Sequence, residues 1–106
     1  MTNHNFDTEA WIKMDMFNQM GNIGSEVGRA MSAKRNGKTD RMNGAFRRGL
    51  DLIDFTAGLW AAHKSPRTRE LLLAREMFAR SVTTDEVDAT LEAYFMQFAL
   101  AARLQK

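Results

Sequence analysis

The chain of 106 residues is long enough for one domain, and 44% of its residues are hydrophobic, which supplies a core without disulfides or metal. It contains no cysteine, so a disulfide scaffold and thiolate chemistry are excluded. The formal net charge is only +2, and no apolar run approaches the roughly 18 residues of a membrane span. We therefore expect a soluble, cytoplasmic protein, with residues 1–7 as a flexible tail and residues 8–106 as a single domain.

The first predicted helix starts at Asp7 or Thr8 as N-cap and ends at Gly37, a glycine of the kind that follows a last helical turn. Its apolar residues recur every three or four positions, as on a helix that faces a core: Ile12, Met16, Met20, Ile23, Val27 and Ala30.

Three glycines, Gly21, Gly24 and Gly28, interrupt this first helix. Each costs about 1 kcal/mol relative to alanine in a helix interior. At 100° per residue all three fall on one narrow strip. We therefore expect another helix, or a ligand, to approach the backbone along that strip.

The second and third predicted helices follow after short connections. Thr39 or Asp40 caps the second, and Ser65 with Pro66 forms a standard helix start for the third. The core face of the second helix is expected to carry Met42, Phe46, Gly49, Leu50, Ile53, Ala57 and Trp60.

The fourth predicted helix opens at Thr83-Thr-Asp-Glu86, which matches a capping box. Its core side is expected to include Val87, Leu91, Tyr94, Phe95, Phe98 and Ala102. No strand pattern competes with these helices, and short loops turn each helix back on its predecessor. We therefore predict an all-α fold, an antiparallel up-down-up-down four-helix bundle.

Charge is distributed unevenly along the chain. The stretch from Arg29 to Arg48 holds seven basic residues and one acid, whereas the stretch from Ser81 to Ala102 holds four acids and neither lysine nor arginine. The predicted topology puts the loop after the first helix and the loop after the third at the same end of the bundle. The basic and acidic stretches are therefore expected to meet.

The later helices carry more apolar surface than a single small core needs. Phe55 and Leu59 widen the apolar arc of the second helix, and Met96 and Leu100 lie nearly opposite Phe98 on the fourth. Such helices need cover on more than one side, although scattered surface hydrophobes are normal in monomers. We predict a homo-oligomer with Phe55, Leu59, Met96 and Leu100 in its interface.

Four polar residues recur at helical spacing beside the apolar stripe of the first helix, and we call them the polar seam: Gln19, Asn22, Glu26 and Arg29. One interpretation is a small polar binding site built on Glu26 and Arg29. The other is an ordinary i, i+3 ion pair among solvated neighbours, which is favoured because no nucleophile accompanies them.

The sequence carries no catalytic or metal-binding motif. His4 and His63 stand apart, and neither belongs to the Glu-x-x-His pair of di-metal bundles. The glycines lack the preceding strand and the following Lys-Ser/Thr of a phosphate loop. We therefore predict a protein that is not an enzyme and that uses no metal or cofactor.

Arginine and lysine supply the remaining functional signal, at Arg47, Arg48, Lys64, Arg67 and Arg69. Such side chains neutralise phosphates and give salt-dependent, sequence-indifferent binding to nucleic acid. They are equally typical of a solvated face that keeps an oligomer soluble. The first hypothesis is an accessory protein that binds nucleic acid, or a nucleic-acid enzyme, through these residues. The alternative is an assembly module whose apolar faces engage a protein partner.

Three segments, Gly21–Ala30, Arg69–Glu76 and Tyr94–Arg103, resemble a family of small bacterial helical proteins of uncharacterised function, and this likeness implies no activity. The first segment also resembles the Asn-Ile-Ala-Glu-Gly-x-Gly-Arg motif of bundle proteins encoded in large-subunit rRNA intervening sequences and of the accessory variability determinants of diversity-generating retroelements. That motif is matched at Asn22, Ile23, Gly28 and Arg29. The second resemblance implies an oligomeric four-helix bundle, with nucleic-acid binding through a basic surface in the retroelement branch.

Overall fold

Five α-helices make up the fold, which a computed structural model describes over residues 6–86 and 89–104. Their bounds are α1 Thr8–Lys13, α2 Met16–Arg35, α3 Thr39–Ala62, α4 Thr68–Thr83 and α5 Ala89–Leu104. The described ranges contain no strand, so the all-α prediction is confirmed. Within the same ranges, no helix is both long enough and apolar enough for a membrane span.

The single first helix predicted from the sequence is wrong, because the chain breaks between α1 and α2. Met14 is extended, with φ −70° and ψ 148°. The carboxylate of Asp15 then accepts a hydrogen bond from the backbone N–H of Asn18 at 2.8 Å and caps α2. A side-chain cap satisfies N–H groups that have no partner inside the helix. Asp15 was therefore the signal for a second helix start.

The short helix α1 is held against α2 and α3 through Trp11. The indole N–H of Trp11 donates to the hydroxyl oxygen of Thr56 on α3 at 2.9 Å, and the side-chain amide of Gln19 donates to the carbonyl oxygen of Trp11 at 2.9 Å. Trp11 is buried, whereas Ile12 is 55% exposed. The expected core position of Ile12 is wrong. Because the chain breaks at Met14, α1 does not continue the helical register of α2, and Trp11 faces the core instead of Ile12.

The helix α2 is central and packs against both α3 and α5, while α4 packs mainly against α3. The start of α2 lies beside the end of α5, where Gly21 faces Ala99, so these two helices are antiparallel. The guanidinium of Arg75 on α4 pairs with Asp54 on α3 at 2.6 Å. The fully buried side chains join all four long helices into one core: Met20, Ile23, Val27, Ile53, Thr56, Leu71, Phe78, Leu91 and Phe95.

The basic end of α2 meets the connection between α4 and α5, as the charge pattern predicts. The ammonium group of Lys34 donates to the backbone carbonyl oxygens of Ser81 and Thr84. Arg35 forms an ion pair with Glu92 at 2.9 Å. Asp88, which belongs to the predicted acidic stretch, lies outside the described residues.

Two helix ends use a left-handed residue after the last turn. Gly37 has φ +68°, and the N–H groups of Gly37 and Lys38 bind the carbonyl oxygens of Lys34 and Ala33. This is the Schellman arrangement, and it confirms the predicted helix end. At the end of α3 the same place is taken by Lys64, with φ 56°. A residue with a Cβ is uncommon in this conformation.

Both predicted starts of the later helices are displaced. The hydroxyl oxygen of Ser65 accepts from the N–H of Arg67 at 3.2 Å in a turn that precedes α4. Thr83 is the last residue of α4, and its hydroxyl donates to the carbonyl oxygen of Ala79 at 2.7 Å. The capping box predicted at Thr83 is therefore wrong, because its hydroxyl is already used inside the preceding helix. Val87 lies outside the described residues.

The three glycines of α2 meet different surroundings. A Cβ on Gly24 would lie 2.7 Å from the Cβ of Phe95, and one on Gly21 would lie 3.5 Å from the Cα of Ala99. The close approach expected at these two positions is made by α5. A Cβ on Gly28 would have no atom of the described chain within 4 Å beyond its own helix, so the expected helix contact is missing there. A further close approach is at Gly49 on α3, where a Cβ would lie 2.8 Å from the ring of Phe78.

This difference predicts opposite effects for the same substitution. Gly24→Ala forces α2 and α5 apart and should lower the free energy of unfolding by about 1–2 kcal/mol, since overpacking costs more than alanine's helix propensity returns. Gly28→Ala is its matched control and should raise the free energy of unfolding by about 0.5–1 kcal/mol. Urea denaturation followed by circular dichroism measures both. A Gly24→Ala protein as stable as the parent would contradict the close packing of α2 on α5.

Candidate anion-binding groove

A groove of about 930 Å³ lies between the second half of α2 and the first half of α3. We call it the α2–α3 groove. It is lined by Ser25, Gly28, Arg29, Ser32, Ala33, Asn36, Lys38, Asp40, Arg41, Gly44, Ala45 and Arg48.

Small residues open this groove. Gly28 and Ser32 line it from α2, and Gly44 lines it from α3. Side chains of packed helices normally interdigitate along the line of contact. Here the outer positions lack the volume to do so, while Ala33 and Ala45 beneath them are buried. The two helices therefore contact each other at the buried alanines and leave the α2–α3 groove at the surface.

Four cationic side chains line the α2–α3 groove: Arg29, Lys38, Arg41 and Arg48. Arg41 and Arg48 are seven residues apart on α3 and therefore lie on one face of that helix. The only acidic residue among the lining residues is Asp40. A concave surface with this excess of positive charge concentrates the field and attracts anions.

Beneath the groove, Glu26 joins the two helices. Its carboxylate accepts from Nη1 of Arg29 at 3.0 Å and from Nε of Arg48 at 2.7 Å. Glu26 is only 8% exposed, and burial by itself raises the pKa of a carboxyl group. The hydrogen bonds from Arg48 and Arg29, with their charges, outweigh burial and hold the pKa of Glu26 below its ordinary value. Glu26 is therefore an ionised carboxylate shared by two arginines.

The structure divides the predicted polar seam. Gln19 is buried at the junction of α1 and α2, and Asn22 donates from its side-chain amide to the carbonyl oxygen of Asn18 at 2.8 Å on the surface. Glu26 and Arg29 form the i, i+3 ion pair that the more ordinary interpretation describes. Arg48, predicted to belong to a separate basic cluster, also contacts Glu26 and makes the ion pair a cluster of three charged residues.

The predicted basic cluster is also divided. Arg48 lies 14 residues before the end of α3 at Ala62, which is about 21 Å along a helix, whereas Lys64, Arg67 and Arg69 belong to the connection between α3 and α4 and the start of α4. Arg67 is 3.6 Å from the carboxylate of Glu70. These five cations therefore do not make one patch.

Sequence reasoning missed three groove cations, Arg29, Lys38 and Arg41, as members of one site. The available signal was the spacing of Arg41, Gly44 and Arg48, which puts two arginines and a glycine on one helix face. The basic stretch from Arg29 to Arg48 was recognised as a run of charge. Only the packing of α2 against α3 places these basic residues on opposite sides of one groove.

The four predicted interface residues differ in exposure. Phe55 and Leu59 are half-buried against the core, and the ring of Phe55 lies edge-on to Phe6 with centroids 5.4 Å apart. Met96 is 53% exposed and Leu100 is 49% exposed. Phe55 and Leu59 therefore already pack within their own subunit, whereas Met96 and Leu100 present apolar surface outward.

In the described part of the chain, no three His, Asp or Glu side chains come together as a metal ion would require. Comparison with protein-family models, with curated proteins and with solved structures found no match.

The shared carboxylate predicts a pH-dependent contribution to stability. Glu26→Gln should lower the free energy of unfolding by about 1–2 kcal/mol at neutral pH, since it removes the negative charge and one of the two acceptor oxygens that the arginines share, while both arginines keep contact with water. The pKa of Glu26 is lowered by folding, so its contribution is present above the ordinary value of 4.5 and is lost as the pH falls through the folded value.

Urea denaturation at neutral pH and at a series of acidic pH values measures this contribution. The gap between the parent and Glu26→Gln should close on acidification. The exposed Glu76 on α4 gives the matched control, and Glu76→Gln should change the free energy of unfolding by no more than about 0.5 kcal/mol. A gap that stays constant down to the acidic limit would contradict the ionised state of Glu26.

Proposed function

We propose that this chain is a non-enzymatic accessory protein that binds the phosphate backbone of nucleic acid in the α2–α3 groove. The observation that supports it is the meeting of Arg29, Lys38, Arg41 and Arg48 around one open groove. The scaffold that we propose is an antiparallel four-helix bundle of α2–α5, with α1 folded across one end. The proposal also includes a protein partner, namely an enzyme that acts on the bound nucleic acid.

The chemistry of the groove favours phosphate over bases. Its lining residues include serine, asparagine, arginine and lysine, which all donate hydrogen bonds to phosphate oxygens. None of them is aromatic, whereas proteins that hold single strands by their bases stack them on aromatic rings. Binding is therefore expected to depend on the charge of the backbone and to be indifferent to base sequence.

The number of cations sets the expected salt dependence. If the four cations neutralise three or four phosphates of a duplex, the logarithm of the association constant should fall with the logarithm of salt concentration with a slope of about −2.7 to −3.6. Each cation removed should reduce that slope by about 0.9. Measuring both the salt slope and the affinity distinguishes direct phosphate contacts in the groove from a general electrostatic attraction by the whole protein.

Binding to a labelled DNA duplex of about 20 base pairs tests the proposal. Lys38→Gln with Arg41→Gln should weaken binding at low salt by about tenfold or more and reduce the salt slope by about 1.8, since two phosphate contacts are lost. The matched control is Lys13→Gln with Arg103→Gln, which removes the same charge at α1 and at the end of α5. That control should retain the parent's affinity within a factor of about 2.

Fluorescence anisotropy over a range of salt concentrations gives both quantities, with an RNA hairpin as a second probe. No binding of either probe at low salt would remove the proposal. Equal weakening by the two double variants would show attraction by total charge alone. A loss confined to Arg67→Gln with Arg69→Gln would move the site to the connection between α3 and α4.

A second candidate function, a homo-oligomeric assembly module, rests on α5. Met96, Leu100 and Leu104 follow one another at four-residue spacing and are 53%, 49% and 85% exposed. Residues at this spacing form one row on a helix. Such a row pairs with its own copy about a twofold axis, which is the commonest symmetry of homo-oligomers.

Sedimentation velocity at micromolar concentration tests the assembly proposal. Met96→Gln with Leu100→Gln should convert an oligomer to a monomer, because it removes the apolar area that drives association. Leu72→Gln with Leu73→Gln on α4 is the matched control and should leave the oligomer intact. A parent protein that sediments as a monomer would remove this candidate and leave the groove proposal unaffected.

A further inference from the structure

Two arginines from different helices share one buried carboxylate beneath the α2–α3 groove. We infer that Arg29 and Arg48 form a clamp for a single phosphoryl group, and that Glu26 is the residue that positions them. This inference rests on the proposed function, since it names where a backbone phosphate is held. The ligand chemistry is a tetrahedral oxyanion with at least one negative charge.

Most hydrogen-bonding capacity of the two arginines remains available. Arg29 donates to Glu26 through Nη1, and Arg48 donates through Nε. Among the described residues, the hydrogen bonds of both guanidinium groups go to Glu26 alone. Each guanidinium has five N–H groups in a rigid planar fork, and the two side chains are 64% and 51% exposed. Each fork is therefore anchored at one edge and free to bind at others.

The backbone of α3 holds Arg48 from a second side. A Cβ on Gly44 would lie 3.3 Å from Nη1 of Arg48, so the guanidinium lies against the preceding turn of its own helix. A larger residue at position 44 would push it away. Arg48 is thus held by the carboxylate of Glu26 through Nε, and Nη1 occupies space that a side chain at Gly44 would restrict.

Gly28 keeps the space beside the clamp open. It lines the groove together with Arg29 and Arg48, and a Cβ there would meet no atom of the described chain within 4 Å beyond its own helix. The helix tolerates a glycine at this position although no neighbouring helix needs the room. A phosphoryl oxygen entering between the two arginines would use it.

Glu26 affects an anion in two opposite ways. Its negative charge repels the anion, whereas its hydrogen bonds hold two long side chains in one geometry before the ligand arrives. Ordering such side chains on binding is unfavourable, and a group that orders them beforehand improves affinity. Positioning and simple electrostatics therefore predict opposite signs for removal of the carboxylate charge, and this makes the inference testable.

Glu26→Gln and Asp40→Asn form the matched pair, since each removes one negative charge at the groove. With the labelled duplex, Glu26→Gln should weaken binding by about tenfold, because the negative charge and one of the two acceptor oxygens that order the clamp are lost. Asp40→Asn should bind as well as the parent or more tightly. Arg48→Lys keeps the charge but loses the planar fork, so it should also weaken binding. Thermal unfolding by circular dichroism identifies any variant that is not folded.

Tighter binding by both Glu26→Gln and Asp40→Asn would overturn the clamp and leave the proposed function standing. If the parent binds neither duplex nor hairpin, the proposed function fails, and inorganic phosphate decides the clamp separately. In a titration followed by NMR, the guanidinium Nη–H signals of Arg29 and Arg48 should shift at millimolar phosphate in the parent and not in Glu26→Gln. Unmoved signals in the parent would overturn the clamp, and a free phosphate ligand would then also be excluded.

Discussion

The carboxylate of Glu26, buried between α2 and α3, is the interaction on which the rest of the site depends. A buried charge is tolerated only with partners that hydrogen-bond it, and here Arg29 and Arg48 come from different helices. The carboxylate therefore links α2 to α3 beside their shared apolar core. It also brings two guanidinium groups to one place on the surface, where like charges would otherwise stay apart.

The same helix uses small residues for two opposite purposes. At Gly24 the missing side chain lets α5 approach within van der Waals contact, so the glycine serves packing. At Gly28 the missing side chain leaves open space beside Arg29, so the glycine serves access. The helix α2 thus packs closely on α5 and stays open towards α3 above its buried contacts. One face of α2 therefore packs closely against α5, and a neighbouring face lines the α2–α3 groove.

The proposed function rests on charge placed on a concave surface. The groove cations come from α2, from the first half of α3 and from the turn between them, and they line one groove because that turn is short. Nucleic acid is the polyanion that such an arrangement is suited to bind without reading bases. The apolar row on α5 lies outside the groove lining, so the proposed binding and the proposed assembly can be tested separately.

The sequence by itself determined the helical class, the stop at Gly37 and the meeting of the basic stretch with the segment around the connection between α4 and α5, because local propensity and short loops suffice for these. It did not reveal the break at Met14, since the cap at Asp15 competes with an apolar pattern that continues through it. Only the tertiary structure decided which cations share a site. Arg48 is near Glu26 because α3 folds back on α2, while Lys64 is distant because α3 is long. Local patterns identify helices and faces, whereas the distance between residues on different helices depends on how those helices pack.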